Sequence, residues 1–126
     1  MTAIFLQRII RPFGFSASAE IMPYVVAIDL TGTDTTVSYA VKAKVRVIDA
    51  WALATVDNGS GTVTLKDNDG NAITNALTFA SSSTIARATS IDVTDWTEIK
   101  GNNLQATKNN VADKGWLFVV VVPMNA

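Results

Sequence analysis

From Val37 to Val47 the chain alternates without a break. Val37, Tyr39, Val41, Ala43, Val45 and Val47 fall on one face, and Ser38, Ala40, Lys42, Lys44 and Arg46 on the other. A period of two over this length predicts a half-buried β-strand. Ile48 to Val56, IDAWALATV, carries on with apolar residues on both faces, which predicts a bend or bulge between the two stretches. DNGSG at Asp57–Gly61 is a turn, TVTLK a short alternating strand, and KDNDGNAIT a second turn with Asp69-Gly70 as its tight-hairpin pair. Ser81, Ser82 and Ser83 break the pattern before a strand from Thr84 to Ile91. Val93–Lys100 fits one helical turn, because Thr94 or Asp95 can cap it and Glu98 can close a capping box. Gly101-Asn102-Asn103 turns the chain into a short strand around Leu104–Thr107. The loop KNNVADKG then leads to WLFVVVVP, Trp116–Pro123. That last run is apolar on both faces, so it belongs in the middle of a sheet, covered from both sides. Upstream, Tyr24–Leu30 is a strand closed by Thr31-Gly32.

About eight short strands with turn signals every eight to twelve residues imply an all-β fold, an antiparallel sandwich or barrel. The mixture of alternating and fully apolar strands favours a two-sheet sandwich. A jelly roll is the expected form, with an immunoglobulin-like sandwich as the alternative. Residues 1–23 stand apart from the β domain, which spans 24–126. Ile4, Phe5, Leu6, Ile9, Ile10, Phe13 and Phe15 crowd a segment that Arg8, Arg11, Pro12 and Gly14 keep from forming one regular element. Such an arm is awkward to leave in water. It either packs on its own domain or clasps a neighbouring chain, and the neighbour is favoured. Its arginines, with no acid before Glu20, resemble those of a targeting peptide, but Gln7 and Arg8 interrupt the apolar core that a secretory signal needs.

Composition narrows the chemistry. The 126 residues suit one domain. There is no cysteine and no histidine, which excludes thiol nucleophiles, thiolate or imidazole zinc sites, histidine bases and the Ser-His-Asp triad. The absence of cysteine also points to a reducing compartment or to assembly inside a cell. A formal net charge of −1 gives no clustered basic surplus for nucleic acid. No apolar run approaches the roughly 18 residues of a membrane helix.

The remaining candidates have bland counterparts. Asp67–Asn71, DNDGN, resembles the opening of a calcium loop, but Gly70 and Thr78 stand where the EF-hand spacing needs other residues, so the hairpin turn is preferred. Asn58-Gly59-Ser60 matches a glycosylation acceptor and is read as a turn. Asp49, in an apolar neighbourhood, is expected to pair with Arg46 or Arg87 in a structural role. Trp51, Trp96 and Trp116 fill a core or a subunit interface, or else form a sugar-stacking platform. Lys42, Lys44 and Arg46 form the wet side of a strand, where basic residues discourage edge-to-edge aggregation. Alternatively they make a docking stripe for an acidic protein surface. No cofactor or metal is expected, and no enzymatic activity.

The stretches VKAKVRVIDAWALATVDNGSGTVTLKDNDGNAITNAL, STIARATSID, IKGNNLQAT and GWLFVVVVP together resemble a group of small virion proteins, the cement or decoration proteins of tailed-phage capsids. The resemblance runs from about Val37 to Pro123 and implies a jelly roll that binds the outside of a matured shell and bridges major capsid protein subunits. It implies the capsid exterior as the location, with copies acting as dimers at two-fold positions, slightly favoured, or as trimers. The residues expected to meet the capsid or a neighbouring subunit are Ile4, Phe5, Leu6, Arg8, Ile9, Arg11, Phe13 and Phe15 of the arm, with Lys42, Lys44 and Arg46. Neither nucleic acid nor membrane is an expected partner. A head or tail fibre subunit and a carbohydrate-binding sandwich module are the alternatives. A cupin-type enzyme would share the jelly roll but lacks its metal-ligand histidines here.

Overall fold

The computed structural model describes residues 22–41, 44–82, 85–92 and 103–123, and among them all regular structure is β-strand. Eight strands follow in order: β1 Tyr24–Asp29, β2 Thr36–Ala40, β3 Val45–Ala54, β4 Thr62–Lys66, β5 Leu77–Thr78, β6 Ile85–Arg87, β7 Asn103–Lys108 and β8 Gly115–Pro123. They form two four-stranded antiparallel sheets, one ordered β1-β8-β3-β6 and the other β2-β7-β4-β5. The sheets pack face to face as a β-sandwich, as the composition and turn spacing led us to expect. Residues 1–21 of the arm, Lys42 and the helical turn expected at Val93–Lys100 lie outside the described residues.

The core is the space between the sheets. Val26, Ile28, Leu117, Val119 and Val121 enter it from the first sheet, and Val63, Leu65, Leu104 and Ala106 from the second. Phe79, Leu30, Ile73 and Leu77 fill what remains and are almost wholly inaccessible to solvent. Each such side chain contributes on the order of 2 kcal/mol through burial. β8, apolar on both faces in the sequence, does lie in the middle of its sheet, between β1 and β3.

The expectation of one strand from Val37 to Val47 is corrected. The chain leaves the second sheet after Ala40 and enters the first at Val45, so the alternation spans a crossover. It survives the crossover because both sheets face the same core. Val37 and Tyr39 share a register level with the buried Ala106 and Leu104. Val41, Val45 and Val47 are buried in their turn. A period of two therefore cannot reveal which sheet a residue belongs to.

The bulge anticipated between the two stretches is present. Pairing of β3 with β8 shifts register between Val47 and Asp49. Inward positions accordingly change from Val45 and Val47 to Ala50, Ala52 and Ala54. The Asp49 carboxylate accepts the Ala50 N–H at 2.8 Å, satisfying a backbone donor beside the break. β6 is shorter than the strand expected over Thr84–Ile91, and Ile91 instead bridges to Thr74. The DNDGN stretch is a tight turn: Gly70 has φ of 89°, and Asp67 accepts the backbone N–H groups of Asp69 and Asn71, both at 2.9 Å.

Candidate functional site

Strand alternation gives each sheet an inner and an outer face, and the two outer faces are dressed unequally. The outer positions of the second sheet are polar: Thr36 and Ser38 on β2, Asn103, Gln105 and Thr107 on β7, Thr62, Thr64 and Lys66 on β4. This is the ordinary wet side of an antiparallel sheet. The outer positions of the first sheet are largely apolar: Val25 and Ala27 on β1, Trp116, Phe118, Val120 and Val122 on β8, Ile48, Trp51 and Leu53 on β3, and Ile85 on β6. Among the described residues no other strand lies over this face. Ile85 is 62% exposed, Val25 52% and Ile48 45%, so the patch reaches solvent on three strands. Contiguous apolar surface of this kind makes this face a candidate for binding.

Aromatic rings form its centre. Trp51 and Phe118 are cross-strand partners, stacked with centroids 5.6 Å apart and planes 24° from parallel. Trp116, two residues from Phe118 on β8, stacks on it from 6.4 Å at 18°. Two of the three tryptophans singled out in the sequence thus meet on one face, and the third, Trp96, lies outside the described residues.

A charged pair borders the aromatic row. Arg87 on β6 donates from Nε to Asp49 Oδ2 at 3.0 Å, and its Nη2 also bonds that oxygen. The hydrogen bond from Arg87, assisted by the Ala50 N–H, holds the Asp49 carboxyl below its ordinary pKa. This is the structural pairing expected of Asp49, and it fixes a cation beside Trp51 and Ile85, with which Arg87 lines a shallow surface depression.

The basic residues proposed from the sequence do not form one row on one strand. Arg46 lies on β3 at an outer position of the first sheet, opposite Val122, while Lys44 sits in the connection before that strand. Lys42 and the arm residues Ile4, Phe5, Leu6, Arg8, Ile9, Arg11, Phe13 and Phe15 lie outside the described residues. Among the described residues no group of three or more acidic side chains could hold a metal ion. Asn58, in the glycosylation-like triplet, is committed to structure. Its amide donates to the carbonyls of Phe79 and Lys114 at 2.8 and 3.1 Å and accepts the Lys114 N–H at 3.0 Å.

The aromatic face had a sequence signal that the emphasis on charge passed over. IDAWALATV and WLFVVVVP are both apolar on both faces, and only one face of each can line the core. Compared with known proteins, the chain matches no family model, no curated protein and no solved structure.

Proposed function

We propose that the chain is a jelly roll serving as a structural virion protein, a cement protein that binds the outside of a tailed-phage head and bridges major capsid protein subunits. The interleaved strand orders β1-β8-β3-β6 and β2-β7-β4-β5 support the jelly roll, since consecutive strands alternate between sheets everywhere except at the β4–β5 pair, in the manner of two nested Greek keys. The single observation that carries the function is the apolar outer face of the first sheet. A sandwich with one wet face and one aromatic, aliphatic face is suited to lie against another protein surface. Many copies repeated around a shell would then gain avidity from modest individual contacts.

In this reading the partners are the major capsid protein and further copies of the chain, with a homodimer at two-fold positions favoured over a trimer. The apolar arm, Lys42, Lys44 and Arg46 supplement the aromatic face. The place of action is the outer surface of the capsid. A glycan platform is the second reading, favoured by the meeting of Trp51 and Trp116 on one surface. The stacking weighs against it, because Phe118 is stacked on by both tryptophans and the rings offer their faces to one another.

The test is to mix the purified chain with matured shells that lack it and to pellet the shells. Co-sedimentation at a fixed ratio of copies to capsomers is the expected result. A chain that stays in the supernatant over the micromolar range would remove the cement reading.

A further inference from the structure

The four sheet edges are not equally protected. β5 and β6, at one flank, are two and three residues long. Short edges offer little for another strand to pair with. β2 has five residues with polar side chains at its outer positions. β1 is the exception. It has six residues, YVVAID, with no lysine, no internal proline and no bulge, and its one charge is Asp29 at the end. Among the described residues nothing pairs with its outer edge.

The hydrogen-bond phase of β1 can be read from its junction with β8. Leu30 donates to the Gly115 carbonyl at 2.9 Å, continuing the register that sets Ile28 against Leu117 and Val26 against Val119. In an antiparallel ladder the residues that bond the neighbour alternate with those that face away. Even-numbered residues of β1 therefore bond β8. Val25, Ala27 and Asp29 turn both N–H and C=O to the open edge.

We propose that β1 pairs antiparallel with β1 of a second copy about a two-fold axis at Ala27, joining two four-stranded sheets into one of eight. This register sets Ala27 against Ala27 and Val25 against Asp29, so every outward N–H and C=O on those residues finds a partner. It keeps Val26 and Ile28 on the core side of both copies and joins the two apolar outer faces into one surface. The two Asp29 carboxylates fall about 13 Å apart along the strands, so the only charges on β1 do not oppose each other. Moving the axis one residue toward Ile28 would bring them to about 7 Å, and moving it toward Val26 would forfeit two of the bonds.

A further observation agrees. Tyr24 and Tyr39 point between the sheets yet remain 46% and 40% exposed, lining an open cleft of about 320 Å³ with Val26, Val41 and Leu104. The flank formed by β1 and β2 is thus unfinished, and the two-fold brings it against the same flank of the partner. The inference rests on the homodimer of the preceding reading and supplies its interface.

The chain has no cysteine, so single-cysteine variants of it report the register directly. A hydrogen-bonded antiparallel pair holds its Cα atoms about 5.5 Å apart, within reach of a disulfide. Ala27→Cys should cross-link into dimers under mild oxidation, whereas Val25→Cys, about 13 Å from its mate, should not. Ala27→Pro removes only an outward N–H. It should raise the dimer dissociation constant by at least about tenfold in sedimentation equilibrium, with tryptophan fluorescence unchanged. If Ala27→Pro unfolds, the cysteine pair still decides. A parent chain that stays monomeric at about 100 μM, or that cross-links through Val25→Cys in preference to Ala27→Cys, overturns the proposal. These measurements use no shells. Dimerisation through β1 without co-sedimentation would therefore retain this interface and remove only the cement reading.

Discussion

The ammonium of Lys108 donates to the backbone carbonyl of Asp113 at 2.7 Å, and both residues are buried. The same nitrogen lies 3.1 Å from the Leu30 carbonyl, 3.2 Å from that of Gly32 and 3.4 Å from that of Val111. At the end of β7 it thus ties the loop after β1 to the loop before β8, and its bonds to the Leu30 and Asp113 carbonyls are buried. Lys108→Met would keep the aliphatic stem and take this donor from the carbonyls of Leu30, Val111 and Asp113, while that of Gly32 keeps Lys114 Nζ at 3.1 Å. Because hydrogen bonds to a charged group are the stronger kind, the loss should be about 3 kcal/mol. Urea unfolding should show it as a lower midpoint at unchanged slope.

Gly115 opens β8 opposite Ala54. A Cβ built there would stand 2.3 Å from the Leu53 carbonyl oxygen and 3.0 Å from the Phe79 ring. Neither neighbour can move cheaply, since one is backbone of the central pairing and the other the largest fully buried side chain. Gly115→Ala should therefore destabilise the fold by about 2–3 kcal/mol, against the usual gain from removing a glycine from a strand. Gly32→Ala has open space around it and should change the thermal midpoint by no more than about 2 °C.

The Asp49–Arg87 pair sets an acid dependence of definite sign. Arg87 holds the folded-state pKa of Asp49 below its ordinary value of 3.8. The folded protein thus binds that proton less readily than the unfolded chain does. The pair's contribution is complete above that ordinary value and is lost as the pH falls through the lowered one. Arg87 is largely exposed, so solvent screening keeps the contribution small. Asp49→Asn should lower stability at pH 6 by that small amount and narrow the gap to the parent between pH 4 and pH 2. A gap that widens with acid would contradict the pairing.

How much of this was legible in the sequence depends on where each residue's partner lies. β8 announced its central place because the run Trp116–Pro123, apolar on both faces, fits nowhere else. The pairing of Asp49 was legible for a similar reason, since a lone carboxylate among apolar residues needs a cation. The change of sheet between Ala40 and Val45 was not, because Val41 and Val45 are both buried in one core. β5 spans only Leu77–Thr78, too short to leave a period. Lys108 and Asn58 read as ordinary loop residues. Their partners are carbonyls that the fold gathers from distant segments, and a carbonyl has no identity in a sequence. The basic row attracted attention because charge is conspicuous in a one-letter string. Whether an apolar outer position is covered depends on what lies above it, which local pattern does not encode.

The aromatic face yields the prediction that separates an interface from a well-packed surface. If it lies against a shell, a charge placed on it should abolish binding at little cost to folding, provided the residue chosen is exposed. Ile85 meets that condition on β6, next to Trp51 and Arg87. Ile85→Asp should weaken co-sedimentation with shells by at least about 30-fold, as expected for an apolar contact turned into a buried unpaired charge. Its thermal midpoint should stay within a few degrees of the parent's. Thr64→Asp, a charge on the polar outer face of the second sheet, is the matched control and should bind as the parent does. Trp51→Ala would report on the ring stack, but removing a half-buried tryptophan also costs stability, so Ile85 is the cleaner probe. Reversing Lys44 and Arg46 to Glu tests the supplementary charge, and any loss should shrink as salt rises from 0.05 to 0.5 M. Equal losses from Ile85→Asp and Thr64→Asp would mean that the shell does not distinguish the two sheets. The unequal dressing of the sandwich would then need another explanation.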